Sequence, residues 1–92
     1  MERWRTVTGS MDEYSVSDEG RIRNNRTGHI LKTYRTKHNV ELVFLAGRFN
    51  RSYTVASLVG KAFVGGKRFR HKDGDPFNNR ADNLYCDDIW GK

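Results

Sequence analysis

The chain has ninety-two residues, 36% apolar and 30% charged, which suits one soluble globular domain with a thin core. No apolar run is long enough to cross a bilayer and the N-terminus lacks a signal-peptide stretch, so no membrane partner is expected and a cytoplasmic setting is. Cys86, the single cysteine, cannot close an internal disulfide. With no His or Cys at metal-ligand spacing, it reads as an ordinary thiol of a reducing compartment. The net charge is +6 and unevenly spread: Met1 to Arg70 holds fourteen Lys/Arg against six Asp/Glu, a balance of +8, while His71 to Lys92 holds three against five, a balance of −2. A basic body with a slightly acidic end is the charge footprint of a polyanion binder, although a merely solvated basic surface gives the same totals.

In chain order, Glu13 to Asn24 reads as two short strands around a turn at Asp18–Gly20, with Tyr14, Val16 and Ile22 facing the core and Arg21 and Arg23 pointing away. A turn at Asn24–Gly28 leads into a strand from His29 to Tyr34. Val40–Ala46 has the strongest strand composition, and after a turn at Gly47 the segment Phe49–Tyr53 returns as its hairpin partner. At Thr54 the period changes. Val55, Leu58, Val59, Ala62 and Phe63 form one apolar helical stripe, with Thr54 as N-cap and Gly65–Gly66 as the stop. Lys67–His71 is extended, Asp73–Pro76 forces a turn, and Leu84–Cys86 forms a short strand after a polar loop. The expected class is α+β: a small antiparallel β-meander over residues 1–53, then one helix and a hairpin over residues 54–92.

Two stretches of this chain resemble parts of a known family. Trp4, Tyr14-Ser-Val-Ser-Asp-Glu-Gly-Arg-Ile-Arg-Asn24 and Gly28-His-Ile-Leu-Lys32 are similar to the nuclease-associated modular domain of phage intron endonucleases, which reads W…Y-x-V-S-x-x-G-x-I/V-R/Y-N/S…G-x-x-L-K. Val55 to Phe63, then His71-Lys-Asp-Gly-Asp-Pro-Phe-Asn-Asn-Arg-Ala-Asp-Asn-Leu-Tyr85, resemble the HNH module of phage homing endonucleases, V-H-R-L-V-A-x-x-F…D/N-H-x-D-G-N-x-x-N-N-x-x-x-N-L-x-W. Both occur in the family's usual order, and together they cover the chain from Trp4 to Tyr85. The resemblance divides the chain into a nuclease-associated β region (1–53) and a degenerate HNH module (54–92), the latter a truncated ββα-metal hairpin.

In that family a histidine at the end of one strand acts as general base toward water. A divalent metal supports the leaving oxygen, and a loop asparagine holds the histidine. The resemblance places His71 on the base position and Asn83 on the loop asparagine, with Asp73, Gly74 and the pair Asn78–Asn79 in the family's loop. Three departures weaken the metal site. Arg70 stands where the family carries an acidic or amide residue, and a guanidinium does not ligate a metal. Ala56 and Ser57 replace the histidine and arginine of V-H-R-L-V. Asp87–Lys92 is too short to form the helix that brings the last ligand. No metal ligand and no cofactor are therefore assigned, and His71 and Asn83 are expected as remnants with a structural role. Magnesium or a similar ion enters only if cleavage is retained.

The expected partner is nucleic acid, foremost duplex DNA, with Arg21, Arg23, Arg35, Arg48, Arg51, Arg68 and Arg70 on phosphates. Trp4, Tyr14, Leu58 and Phe63 read as core, and His29 and His38 as surface residues. Trp90 is left undecided between packing across the sheet and an exposed contact. Two further readings stay open. One is a nicking endonuclease that uses His71 with an improvised metal site from Asp73, Asp87 or Asp88. The other is a protein-binding inhibitor of a host nuclease or CRISPR effector, for which the sequence names no target.

Overall fold

The computed structural model describes residues 1–47 and 49–87. It is α+β, as the periodicity implies, with helical structure following two small antiparallel sheets. The first sheet has the order β1-β2-β3, from Trp4–Thr6, Tyr14–Ser17 and Ile22–Asn24. Val16 lies opposite Ile22 across the hairpin, and both are fully buried. The turn between them is closed by Ser17, whose hydroxyl accepts from the backbone N–H groups of Glu19 and Arg21, each at 3.1 Å. Those two local bonds explain why Ser17 is fully buried although it is polar.

The expected strand from His29 to Tyr34 is divided between two partners. Ile30 makes an isolated bridge with Arg23, and the Leu31 N–H donates to the Ile22 carbonyl at 2.8 Å. Only after Thr33 does the chain join the second sheet, as β4 (Tyr34–Arg35), beside β5 (Glu41–Leu45) and β6 (Arg51–Thr54). The backbone thus leaves one sheet's edge to found the next, so no continuous ladder can form along the predicted strand. In β5, Val43 and Leu45 are fully buried and Phe44 is exposed, the alternation of a half-covered strand.

The helix begins where its cap predicts. Thr54 has extended backbone angles, and its hydroxyl accepts from the Ser57 N–H at 3.2 Å. The α-helical part, α1, runs only from Val55 to Val59 and continues as a π-helical segment, Gly60–Val64. It ends with the Gly65 N–H donating to the Gly60 carbonyl at 2.8 Å, five residues back. The widened turn accommodates Phe69 of β7 (Phe69–His71), whose ring lies against Gly60 so closely that an added Cβ would sit 2.6 Å from it. Strand β7 pairs with β8 (Leu84–Cys86), with His71 opposite Leu84.

One apolar cluster joins the two halves. Val7, Tyr14, Val16 and Ile22 from the first sheet and its flanks meet Val43 and Leu45 from the second, Val55, Leu58 and Val59 from α1, and Leu84 from β8. Tyr14 and Leu58 are core residues as expected, while Phe63 only packs on the cluster's margin. Trp4 departs from expectation: it is half-buried at the sheet edge and carries arginines on its ring rather than core side chains. Cys86 is a half-buried free thiol against Gly66. No helix among the described residues is long and apolar enough to cross a membrane.

Candidate nucleic-acid interface

His71 ends β7 and faces an open groove of about 690 Å³, shared with His38, Arg68, Arg70, Tyr85 and Asp87. The strand pleat explains the grouping. Phe69 and His71 turn toward the body of the protein and are half-buried, while Arg70 between them is exposed. His38 and Asn39 reach the groove from the tight turn between β4 and β5, so the first half of the chain supplies one wall. His38 is thus a groove residue, although nothing around it in sequence marks it as more than a surface residue.

The side chain that holds His71 is Asn79, not Asn83. His71 Nε2 lies 2.7 Å from Asn79 Oδ1, and Asn79 is 5% exposed. Asn79 Nδ2 donates to Glu41 Oε1 at 3.0 Å, and the Thr33 hydroxyl donates to Glu41 Oε2. A line of four polar side chains therefore runs from the groove back to the second sheet. Asn83 is engaged differently. Its Oδ1 accepts from the Asp73 N–H at 3.2 Å, and its Nδ2 donates to Asp73 Oδ1 at 3.0 Å and to the Asn78 carbonyl at 2.9 Å. It staples the Asp73–Asn83 loop to itself. The expected pairing of His71 with Asn83 is corrected on this geometry. Both asparagines belong to the loop, and only the fold decides which of them faces the ring.

The carboxylates near His71 are committed elsewhere. Asp73 accepts from Asn78 Nδ2 at 2.9 Å, from the Asp75 N–H at 2.8 Å and from Asn83, and these donors, Asn78 foremost, hold its carboxyl below the usual aspartate range. Asp87 is ion-paired with Arg70, whose guanidinium it keeps protonated even more firmly than usual. Among the described residues no three of His, Cys, Asp and Glu come together as a metal would require. Of the carboxylates named for an improvised metal site, Asp73 and Asp87 are engaged as above; Asp88 lies outside the described residues, as do Trp90 and Arg48.

The remaining predicted phosphate contacts are placed in different settings. Arg21 is held by both oxygens of Glu2 and lies 5.6 Å from the centre of the Trp4 ring, while Arg23 lies 4.2 Å over the same ring. Arg35 stacks 4.2 Å over Phe77, and Arg51 lies 5.0 Å from the centre of the Tyr53 ring. Arg68 and Arg70 line the groove beside His71. The six described candidates therefore do not converge on one point. Arg68 and Arg70 surround His71, Arg35 stands on the strand before the His38 turn, and Arg21 and Arg23 share the Trp4 edge. Arg51 and Tyr53 are two residues apart on β6 and so share a face, a local signal, whereas the pairing of Trp4 with Arg21 and Arg23 and of Phe77 with Arg35 joins residues distant in sequence.

Comparison with known proteins agrees with this architecture. Residues 2–43 match the NUMOD4 motif. Over 86 residues the chain is 29% identical to an uncharacterized HNH endonuclease, L245, of Acanthamoeba polyphaga mimivirus, a match that covers 89% of this chain and 26% of that protein. Its fold is similar to that of the HNH homing endonuclease I-HmuI, a protein described as binding and cleaving DNA, with a TM-score of 0.81 and 27% identity over 90% of this chain and 51% of the other. The chain thus spans about a quarter of the one relative and about half of the other. Motif, sequence and fold agree in what they resemble: the chain is similar to HNH endonucleases, among them the homing endonuclease I-HmuI.

Proposed function

We propose that this chain binds duplex DNA along its basic face, with a phosphodiester seated in the groove between Arg68, Arg70 and His71, and that the donors described around His71 do not support metal-dependent cleavage. The groove carries the reading: two arginines and a histidine stand together at the site that corresponds to the scissile phosphate in the HNH resemblance. Arg70 is 64% exposed at its side chain, so it can exchange Asp87 for a phosphate at little desolvation cost. I-HmuI, described as binding and cleaving DNA, supports the choice of DNA as the polyanion.

The test is a duplex titration across a salt series. The logarithm of the binding constant is expected to fall linearly with the logarithm of salt, and each lost phosphate contact to reduce the slope by about one unit. Absence of binding at low salt overturns the proposal. One observation favours a second reading, strand cleavage: His71 is held by an amide at the groove wall, as a general base needs to be. Supercoiled plasmid incubated with magnesium or manganese separates the two. We expect the plasmid to stay intact, whereas nicking that disappears in His71→Ala would establish the nuclease.

A further inference from the structure

The polar line behind His71 determines which ring nitrogen carries its proton. A carboxylate accepts hydrogen bonds and donates none. The Asn79 atom 3.0 Å from Glu41 Oε1 is therefore its NH2 group, which turns the Asn79 carbonyl toward the imidazole. Rotating that amide by half a turn would set its oxygen against the carboxylate and its NH2 against the ring. The carbonyl can only accept, so the ring nitrogen 2.7 Å away, Nε2, must be the donor. Glu41 is itself anchored, because its other oxygen takes the Thr33 hydroxyl. Asn79 is buried, so water does not compete for either of its contacts. With the hydrogen on Nε2, the neutral ring presents Nδ1 as a lone pair. Nδ1 makes no hydrogen bond to any described residue, and the ring lies in the groove wall.

We infer that Glu41, on β5 in the first half of the chain, is a positioning residue for His71: acting through Asn79, it fixes the ring in the Nε2–H tautomer and leaves Nδ1 as the acceptor nitrogen of the groove. A neutral His71 then offers no N–H to a phosphate oxygen, and phosphate recognition falls to Arg68 and Arg70. What Nδ1 suits is a hydrogen-bond donor such as a water or a hydroxyl group. This assignment goes beyond DNA binding and does not depend on it, since it concerns the protein without ligand.

The experiment is a long-range proton–nitrogen correlation on the full ¹⁵N-labelled chain, on the alkaline side of ordinary histidine titration, where the rings are neutral. His29→Gln and His38→Gln variants identify the other two rings. In the unsubstituted protein the His71 signals are expected to show a protonated Nε2 and an unprotonated Nδ1, preferred by roughly tenfold, the preference that one net hydrogen bond gives. Glu41→Gln keeps the shape but can donate as well as accept, so Asn79 is free to turn over and the preference should fall to within about twofold of equality. Thr33→Val leaves the carboxylate in place and should leave the tautomer unchanged. An Nδ1–H ring or an even mixture in the unsubstituted protein overturns the inference, and that measurement requires no variant to fold. So does an unchanged tautomer in Glu41→Gln with a native backbone spectrum.

Discussion

Glu2 and Arg21 show how a residue can be recognisable in sequence and still have its role decided elsewhere. Arg21 stands just before β3, where the alternation points it away from the core, and by charge alone it is a phosphate contact. In the folded protein both Glu2 oxygens occupy its guanidinium. The same pairing, foremost the hydrogen bond from Arg21, lowers the Glu2 carboxyl from 4.5 to about 2, against a smaller opposing effect of burial. The folded value lies below the unfolded one, so the pair stabilises the fold above pH 4.5, and that contribution is lost as pH falls toward about 2. A carboxyl-carbon titration followed by NMR should therefore place the Glu2 midpoint near 2, and Arg21→Ala should move it back toward 4.5. An unmoved midpoint in that variant would show that Arg21 is not the cause. Asn79 and Asn83 make the same point for the loop. Both are amides in a polar loop, and their different roles follow from one reaching β5 and the other being turned into its own loop.

At the scale of elements, the apolar stripe from Val55 to Phe63 and the Thr54 cap are enough to mark a helix, and a helix begins there. The stripe contains nothing that predicts the change from α to π after Val59, because the cause is not in the helix. Phe69 of β7 presses its ring onto Gly60, and three ring atoms lie 2.6 Å from where a Cβ would stand. Gly60 is thus required by a close approach and not by its backbone angles, which are ordinary right-handed helical ones. Gly60→Ala should destabilise the protein by about 1–3 kcal/mol through overpacking, although alanine is the better helix former. Urea denaturation with an unchanged slope would check it. A gain in stability would mean that the ring moves aside freely. The strand from His29 to Tyr34 is likewise legible as extended chain, but its division between two sheets depends on where β3 and β5 stand.

The fold places the six described candidate arginines in unequal settings, and their contributions to binding should differ accordingly. Arg68 lines the groove, whereas Arg21 already has a carboxylate partner that a phosphate would have to displace. In duplex titrations at fixed low salt, Arg68→Ala is expected to weaken binding about tenfold. Arg21→Ala should weaken it less than about threefold, since a phosphate would have to displace both Glu2 oxygens from its guanidinium. Equal losses would place the duplex along the Trp4 edge instead of the groove. The sequence by itself determined the α+β class, the order of the two halves, most of the apolar core and the presence of His71 in an HNH-like setting, because periodicity, caps and turn residues act over a few neighbouring positions. Only the tertiary structure decided that Asn79 holds His71, that Glu41 and Thr33 stand behind it, and that Asp73 and Asp87 are already engaged. Glu41 and Asn79 lie 38 positions apart, and no local pattern specifies a hydrogen bond across that distance. It forms where the fold brings Asn79, in the loop between β7 and β8, to Glu41 of β5. The arginine-rich face was legible as charge, but which of its charges are already paired is a property of the fold.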